Sequence, residues 1–197
     1  MKLRYLLALI PLFLVGCIPT YTLKKAGPTT VARNAFSVQP SSAWNVVPAD
    51  LSRTRWEEVW TKNGPTLDNV AFVGGLPDGK SVIVQSKKTL QRAPVFRANM
   101  SPEDLVSLLE ASYRVRGVTV FSVDAVDPVD FLGGQGIRVL FSYAQGNGIT
   151  KKGNCVLRVV DNKLYGMKLV GASSHYFDAA MPEFDSLVAS AALRKGN

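Results

Sequence analysis

The sequence predicts an α+β sandwich built on an antiparallel sheet. Short runs rich in β-branched and aromatic residues alternate with turn-forming clusters such as Pro77-Asp78-Gly79. Only two segments carry an apolar stripe with helical spacing, one in mid-chain and one near the carboxyl end. A doubly wound parallel sheet would need a helix after almost every strand, so this order favours strands that pair with their sequence neighbours.

The chain opens with a segment typical of an export signal. Lys2 and Arg4 precede an apolar run from Tyr5 to Val15, which is shorter than the roughly 20 residues of a membrane-spanning helix. The run ends in Leu14-Val15-Gly16-Cys17. This ending resembles the lipobox of bacterial lipoproteins, in which the cysteine thiol receives diacylglycerol and the chain is cut directly before it.

We therefore expect residues 1–16 to be a lipoprotein signal peptide and Cys17 to become the lipidated first residue. An ordinary signal peptide with a coincidental cysteine is the alternative. Two acyl chains suffice for stable anchoring in a membrane. Because Ile18 rather than Asp follows the cysteine, the sorting pattern of enterobacterial lipoproteins predicts an outer-membrane anchor that faces the periplasm of a Gram-negative host.

Length and charge narrow the classes of protein that fit. Removing the signal leaves 181 of 197 residues, enough for one domain with its own core, and lowers the formal charge from +8 to +6. A basic chain can indicate a nucleic-acid partner, but an exported lipoprotein does not meet the genome and no RNA-binding motif is present. We expect no nucleic-acid partner, and the oligomeric state stays open.

Residues 17–34 are interpreted as a lipid-anchored tether, because Pro19, Gly27 and Pro28 lie in a stretch without hydrophobic periodicity. Residues 35–197 are expected to form one globular domain. The strands predicted in its first half are Phe36–Val38, Trp44–Val47, Trp56–Trp60, Val70–Val73 and Val82–Gln85.

The mid-chain helix is predicted to begin at Ser101-Pro102-Glu103-Asp104. Ser101 is a good cap, proline suits the first helical turn, and the two acids favour the positive end of the helix dipole. An apolar stripe of Leu105, Leu108, Leu109 and Tyr113 follows, and Gly117 can end the helix.

The second half returns to strands and closes with a helix. Its predicted strands are Val118–Val126, Gly136–Ala144, Asn154–Val160 and Leu164–Val170, with hairpin turns at Asn147-Gly148 and Asp161-Asn162-Lys163. The last helix is predicted to start at Pro182, with the stripe Phe184, Leu187, Val188 and Ala191.

The order of several motifs resembles the Mog1/PsbP-like domains of small bacterial lipoproteins over about residues 35–195. The motifs are FSVQPSSAWNVV, WTKNGPTLDNVAFVGGLPDGK, FRANMSPEDLVSLLEASY, FLGGQGIRVLFSY, DNKLYGMKLVGA and PEFDSLVAS. The resemblance implies an α/β/α sandwich with a central antiparallel sheet, in a family of mostly non-enzymatic binding, assembly or accessory proteins. It carries no catalytic residue to this chain.

No pattern for catalysis, metal binding or a cofactor is present. His175 is the only histidine, it could pair with Asp178, and no G-x-S-x-G motif supplies a nucleophile. No H-x-x-x-H or C-x-x-C spacing occurs. Asp124, Asp127 and Asp130 are interpreted as a solvated loop, and Cys155 as a buried thiol. We therefore expect no catalytic residue, no metal site and no cofactor.

Three tryptophans are the candidate binding surface. Trp56 and Trp60 share one side of an ideal strand, with Glu58 between them, which is unusual for a core face. If a pocket exists, we expect Trp44, Trp56, Trp60 and the loop from Asn63 to Asp68 to line it. The alternative is that these aromatics pack beneath a helix.

These observations predict a non-catalytic interaction or accessory module for an envelope protein, anchored in the outer membrane. Three alternatives remain: a carrier of a small apolar or lipidic ligand, an immunity protein against an imported toxin, and a hydrolase that uses His175. A carrier would require an apolar pocket larger than side-chain packing leaves.

Overall fold

A computed structural model describes residues 20–52, 56–84, 92–144, 148–173 and 175–194. The predicted signal peptide, Cys17 and Asn147 of one predicted turn lie outside these ranges, so their roles stay predictions. Within the described ranges, no helix combines the length and the apolar character needed to cross a membrane.

The described residues form eleven strands and three helices. The strands are β1 (Thr22–Lys24), β2 (Thr29–Val31), β3 (Phe36–Val38), β4 (Trp44–Val46), β5 (Glu57–Thr61), β6 (Asp68–Pro77), β7 (Val120–Phe131), β8 (Gly134–Ala144), β9 (Thr150–Val160), β10 (Lys163–Ala172) and β11 (Ala192–Leu193). The helices are α1 (Ala49–Ser52), α2 (Pro102–Val115) and α3 (Tyr176–Ala189).

A large antiparallel sheet forms the middle layer. It has eight strands in the order β1-β4-β5-β6-β10-β9-β8-β7, and a second sheet has the order β11-β3-β2. In this sheet, β6 pairs with β10, β10 with β9, β9 with β8, and β8 with β7. Each of these pairs is antiparallel. This arrangement confirms the predicted antiparallel sheet.

The two long helices cover opposite faces of that sheet. Helix α2 buries its apolar stripe in one cluster with Phe141, Tyr143 and Leu157. Helix α3 packs, together with β2 and β3 of the small sheet, in a second cluster around Phe36, Phe72 and Phe184. The α/β/α sandwich is therefore confirmed.

Helix α2 begins where the sequence predicts. Ser101 Oγ accepts a hydrogen bond from the Asp104 backbone N–H at 3.2 Å, and the Asp104 carboxylate accepts one from the Ser101 N–H at 3.0 Å. This reciprocal capping box satisfies two backbone donors at the helix start. Gly117 follows the helix with a φ of +88°, which glycine adopts without steric cost.

Helix α3 begins earlier than predicted. It starts at Tyr176, and Pro182 lies inside it rather than at its first turn. The residues before Pro182 are helical because Phe177, which lies among them, is buried in the core. Packing of this aromatic side chain compensates for the backbone hydrogen bond that proline cannot make.

The predicted tether is also corrected. Within residues 17–34, β1 pairs with β4, β2 pairs with β3, and Val31 is fully buried. The folded domain therefore begins by Thr22 and not at Ala35. Strands of three residues are too short to give a visible alternation of apolar and polar residues, which explains the error.

Two further predictions differ from the structure. Strand β7 continues past the predicted strand end at Val126 to Phe131, so Asp124, Asp127 and Asp130 belong to a strand and not to a solvated loop. Pro128 is tolerated there because β7 is an edge strand, where one row of N–H groups needs no partner. Over the described part of Val82–Gln85, no strand of the sheet forms.

Candidate interaction surface

The predicted tryptophan surface is not formed, because two of its tryptophans are core residues. Trp44 and Trp60 are both buried, and their ring centres lie 6.4 Å apart. Trp60 also packs edge-on against Phe72, with 4.5 Å between ring centres. The alternative interpretation, aromatics packed beneath a helix, holds for these two residues.

The acid between the tryptophans is satisfied by specific partners. Glu58 Oε1 accepts a hydrogen bond from Trp60 Nε1 at 2.9 Å, and Glu58 Oε2 accepts one from the Ala32 N–H at 2.8 Å. A partly buried carboxylate is tolerated when hydrogen bonds replace the hydration it loses. Trp56 instead lies half-buried against the cluster beneath α2, and the Arg33 guanidinium carbon is 5.5 Å from its ring centre.

The loop from Asn63 to Asp68 is held closed by its own acid. The buried Asp68 carboxylate accepts hydrogen bonds from Thr61 Oγ1 at 2.7 Å and from the backbone N–H groups of Lys62 and Asn63 at 2.9 and 3.2 Å. All three hydrogen bonds are accepted by the same oxygen, Asp68 Oδ1, which therefore holds the turn together. Asp68 is therefore a structural residue of the loop, and the cavities described below for residues 57–168 do not include it in their lining.

A small cavity lies between α2 and the sheet. Its volume is about 50 Å³, and apolar side chains such as Leu105, Leu109 and Met167 line most of it. Sites for small molecules usually occupy roughly 300 Å³ or more. The cavity is thus too small for a lipid, which argues against the carrier alternative.

The polar groups that border this cavity form an ion cluster. The Lys168 ammonium lies 3.1 Å from Glu57 Oε1, and the Arg116 guanidinium lies 3.3 Å from Glu57 Oε2. Lys168 Nζ also lies 5.4 Å from the centre of the Tyr113 ring. Because these residues come from β5, β10 and the end of α2, the cluster fastens the helix to the sheet.

The nucleophilic side chains at the cavity are not activated. Burial raises the pKa of the Cys155 thiol to about 12, so the thiolate is scarce at neutral pH. The Ser112 hydroxyl donates to the Leu108 carbonyl within its own helix at 2.7 Å. Burial also raises the pKa of Tyr113. The cavity therefore contains the parts of a packed interior rather than those of an active site.

His175 is exposed at the start of α3, and its ring packs edge-on against Tyr176. The side chain of Asp178 is directed to Lys152 at 3.9 Å, and the Ser173 hydroxyl donates to the Thr150 carbonyl at 3.0 Å. The described contacts of these residues do not assemble a triad. Among the described residues, no group of three or more His, Cys, Asp or Glu side chains is placed to hold a metal.

An open groove lies on the α2 side of the sheet, beside β7, and has a volume of about 520 Å³. We call it the β7 groove. The start of α2 forms one wall, and strands β7, β8 and β9 form the floor. Its apolar lining residues are Met100, Pro102, Leu105, Val126, Pro128, Ile137, Leu157 and Val159, and its polar ones are Asp127, Gln135, Gly136 and Arg158.

Exposed valines continue the β7 groove along the strand. Val126 is 46% exposed and pairs with Val139, and Val123 is 38% exposed and pairs with Phe141. Val139 and Phe141 belong to the cluster beneath α2, so both valines lie on the same face of the sheet as the groove. Apolar surface that is left exposed in this way often marks an interaction site.

The outer edge of β7 is protected against pairing with another strand. Asp124, Asp127 and Asp130 lie along it, Pro128 removes one donor, and the pairing with β8 shifts register between Val123 and Ala125. Charges, prolines and bulges are the devices by which edge strands avoid β-sheet extension. The sheet face, rather than the strand edge, is therefore the accessible surface.

This surface is not predicted from the sequence, because the predicted strand ends at Val126 and Asp124, Asp127 and Asp130 are interpreted as a solvated loop. A pattern was present: Val120, Val123, Val126 and Val129 recur every third residue. A spacing of three residues fits neither an ideal strand nor a helix. It arises here because the register shift within β7 changes which side of the sheet the later residues face.

Solved structures show which fold this is. PsbP of the cyanobacterium Synechocystis sp. PCC 6803 aligns with a TM-score of 0.56 and 13% identity, covering 93% of this chain and 99% of PsbP. A point mutant of Mog1 aligns with a TM-score of 0.50 and 11% identity, covering 86% of this chain and 96% of Mog1. LpqN of Mycobacterium tuberculosis, involved in cell envelope biogenesis, gives a lower TM-score of 0.35 at 10% identity, with 92% and 88% coverage.

No protein-family model matches the sequence, and no curated protein matches it. At such low identities the structural similarity defines the architecture and does not transfer an activity. The motif resemblance in the sequence agrees with these findings: the sheet order, the two covering helices, and alignments that cover almost all of PsbP and of Mog1. The described chain has a fold like that of PsbP and Mog1.

Proposed function

We propose that this chain is an accessory lipoprotein of the bacterial envelope, anchored in the outer membrane through Cys17, whose domain binds another envelope protein without catalysing a reaction. The observation that carries the proposal is the β7 groove with its exposed valines. It is the largest of the cavities described above, and it is open enough to accept side chains of a partner.

The chemistry of the β7 groove suits a protein partner. Its floor is apolar, and Gln135 is a polar residue beside that floor. Protein interfaces commonly combine an apolar centre with a polar rim. The cavity beneath α2, by contrast, is too small for a lipid.

The location rests on the amino-terminal sequence. The apolar run that ends at Leu14-Val15-Gly16-Cys17 supports lipidation, and Ile18 supports sorting to the outer membrane. We expect the wild-type protein to fractionate with outer membranes and a Cys17→Ala form to lose the diacylglycerol modification. Mass spectrometry of the amino-terminal peptide tests this directly. A mature peptide without lipid would contradict the anchor.

The binding function is tested by affinity isolation from gently cross-linked cells. Val126→Lys places a charge in the β7 groove, and Leu67→Lys introduces the same residue at an exposed apolar position outside the groove lining. We expect wild type and Leu67→Lys to capture the same protein and Val126→Lys to lose at least nine-tenths of it. Equal capture by all three would overturn the groove as the binding site. A co-purifying lipid in place of a protein would support the carrier alternative.

A further inference from the structure

The structure leaves very little free chain between the predicted lipid anchor and the folded domain. Cys17 lies five residues before Thr22, where β1 begins. A fully extended chain spans at most about 3.6 Å per residue, so this segment reaches no more than about 18 Å. The domain cannot move far from the membrane surface, and β1 is the element nearest to it.

The β7 groove lies at the opposite edge of the same sheet. Strand β1 is the first and β7 the last of eight neighbouring strands. Seven steps of about 4.8 Å place the two edges roughly 34 Å apart. With the β1 edge held against the bilayer and the sheet upright on that edge, the β7 edge stands roughly 34 Å from the membrane surface.

Apolar side chains at the β1 edge are exposed to solvent. Leu23 is 58% exposed, and Tyr21, two residues before it, is 40% exposed. Tyrosine is enriched at the level of lipid headgroups, where its ring meets apolar chains and its hydroxyl meets water.

The charge of this segment suits an anionic surface. Residues 18–34 contain Lys24, Lys25 and Arg33 and no acidic residue. Lys24 Nζ is oriented by a hydrogen bond to Thr29 Oγ1 at 3.2 Å, and Lys25 is exposed. Basic residues next to an anchor are attracted to anionic lipids over about a Debye length.

We propose that the β1 edge, formed by Tyr21, Leu23, Lys24 and Lys25, docks on the surface of an anionic phospholipid bilayer. Leu23 and its apolar neighbours enter the headgroup layer, and the two lysines contact lipid phosphates. Docking orients the domain so that the β7 groove faces away from the membrane. This orientation in the cell rests on the proposed lipid anchor, whereas the surface itself acts without the lipid.

The first test uses the mature chain, residues 17–197 with Cys17→Ser, and sedimentation with vesicles. We expect binding to phosphatidylglycerol/phosphatidylcholine vesicles and little binding to phosphatidylcholine alone. Leu23→Asp/Lys25→Glu should lower the partition coefficient at least tenfold. The matched control Leu67→Asp/Lys163→Glu makes the same changes at exposed positions elsewhere and should bind as the parent does. Unfolding temperatures verify folding, and Lys25→Glu alone serves if the double variant does not fold.

The outcomes separate this inference from the proposed function. Equal partition of the parent and the β1 variants, or equal binding to neutral and anionic vesicles, would overturn the docking surface. If the β7 groove captures no protein partner while vesicle binding is intact, only the proposed function is overturned. In the lipidated protein on anionic vesicles, a polarity-sensitive dye at residue 23 should report the headgroup layer, and one at residue 120 of β7, which is 61% exposed, should report water.

Discussion

The Lys168 ammonium lies 3.1 Å from Glu57 Oε1, and the two side chains are only 13% and 6% exposed. The pair joins β10 to β5 at the place where the end of α2 rests on the sheet. Arg116 approaches the other oxygen of the same carboxylate. One acid thus balances two cations at this helix end, and the fold depends on that acid.

Glu57→Gln should therefore be strongly destabilising. It leaves the buried Lys168 ammonium without its carboxylate partner, which typically costs about 3–5 kcal/mol. Urea unfolding followed by circular dichroism measures the change. Glu57→Gln combined with Lys168→Met removes both charges and should recover most of the loss. If the double variant is no more stable than Glu57→Gln, the ion pair is not the cause.

Glu183 should make stability depend on pH in the acid range. Burial alone would raise its pKa, but hydrogen bonds from Lys62, Ser42 and Trp44 outweigh burial and hold the pKa below its ordinary value of 4.5. A carboxylate with a lowered folded pKa stabilises the domain at neutral pH, and this stabilisation is lost as the pH falls through the folded pKa.

Unfolding temperatures measured from neutral pH to pH values well below 4.5 test this effect. Glu183→Gln should be less stable than wild type at neutral pH and should lose less stability on acidification. Parallel pH profiles for the two proteins would show that Glu183 does not contribute to the acid response.

Cys155 should resist thiol reagents in the folded protein. Burial raises its pKa to about 12, and the side chain is almost inaccessible. Reaction with Ellman's reagent at neutral pH, in mature chain carrying Cys17→Ser, should be at least a hundredfold slower in buffer than in guanidinium chloride. Rapid labelling in buffer would mean that the cavity beneath α2 opens readily.

The tryptophans should differ sharply in their effect on stability. Trp60 is fully buried, so Trp60→Ala should lower the free energy of unfolding by about 3–5 kcal/mol. Trp56 is only half-buried, and Trp56→Ala should cost clearly less. Chemical denaturation of both variants compares them, and equal losses would contradict the assignment of Trp60 to the core.

Local signals predicted the regular elements well. The residues from Ser101 to Asp104 contain the whole capping box of α2, so that helix start follows from four neighbouring residues. Asp161 and Asn162 both adopt positive φ in the predicted hairpin turn between β9 and β10. Such elements are visible in the sequence because their determinants lie next to each other.

The candidate site was mispredicted because its determinants are distant in sequence. Glu58 is tolerated beside Trp60 through a backbone donor at Ala32, 26 residues away, and no local pattern shows that contact. The β7 groove likewise joins Met100 to Ile137 across two elements. Burial at such places is decided by tertiary packing, which residue types alone do not reveal.

Site-specific photo-cross-linking in living cells tests the central claim most directly. A photoreactive amino acid is placed at residue 126 in the β7 groove, or at residue 67 as the control, in the full lipidated protein. The account predicts one reproducible protein adduct from residue 126 and none of that mass from residue 67. The same adducts from both positions, or only lipid adducts from residue 126, would contradict a protein-binding groove that faces away from the membrane.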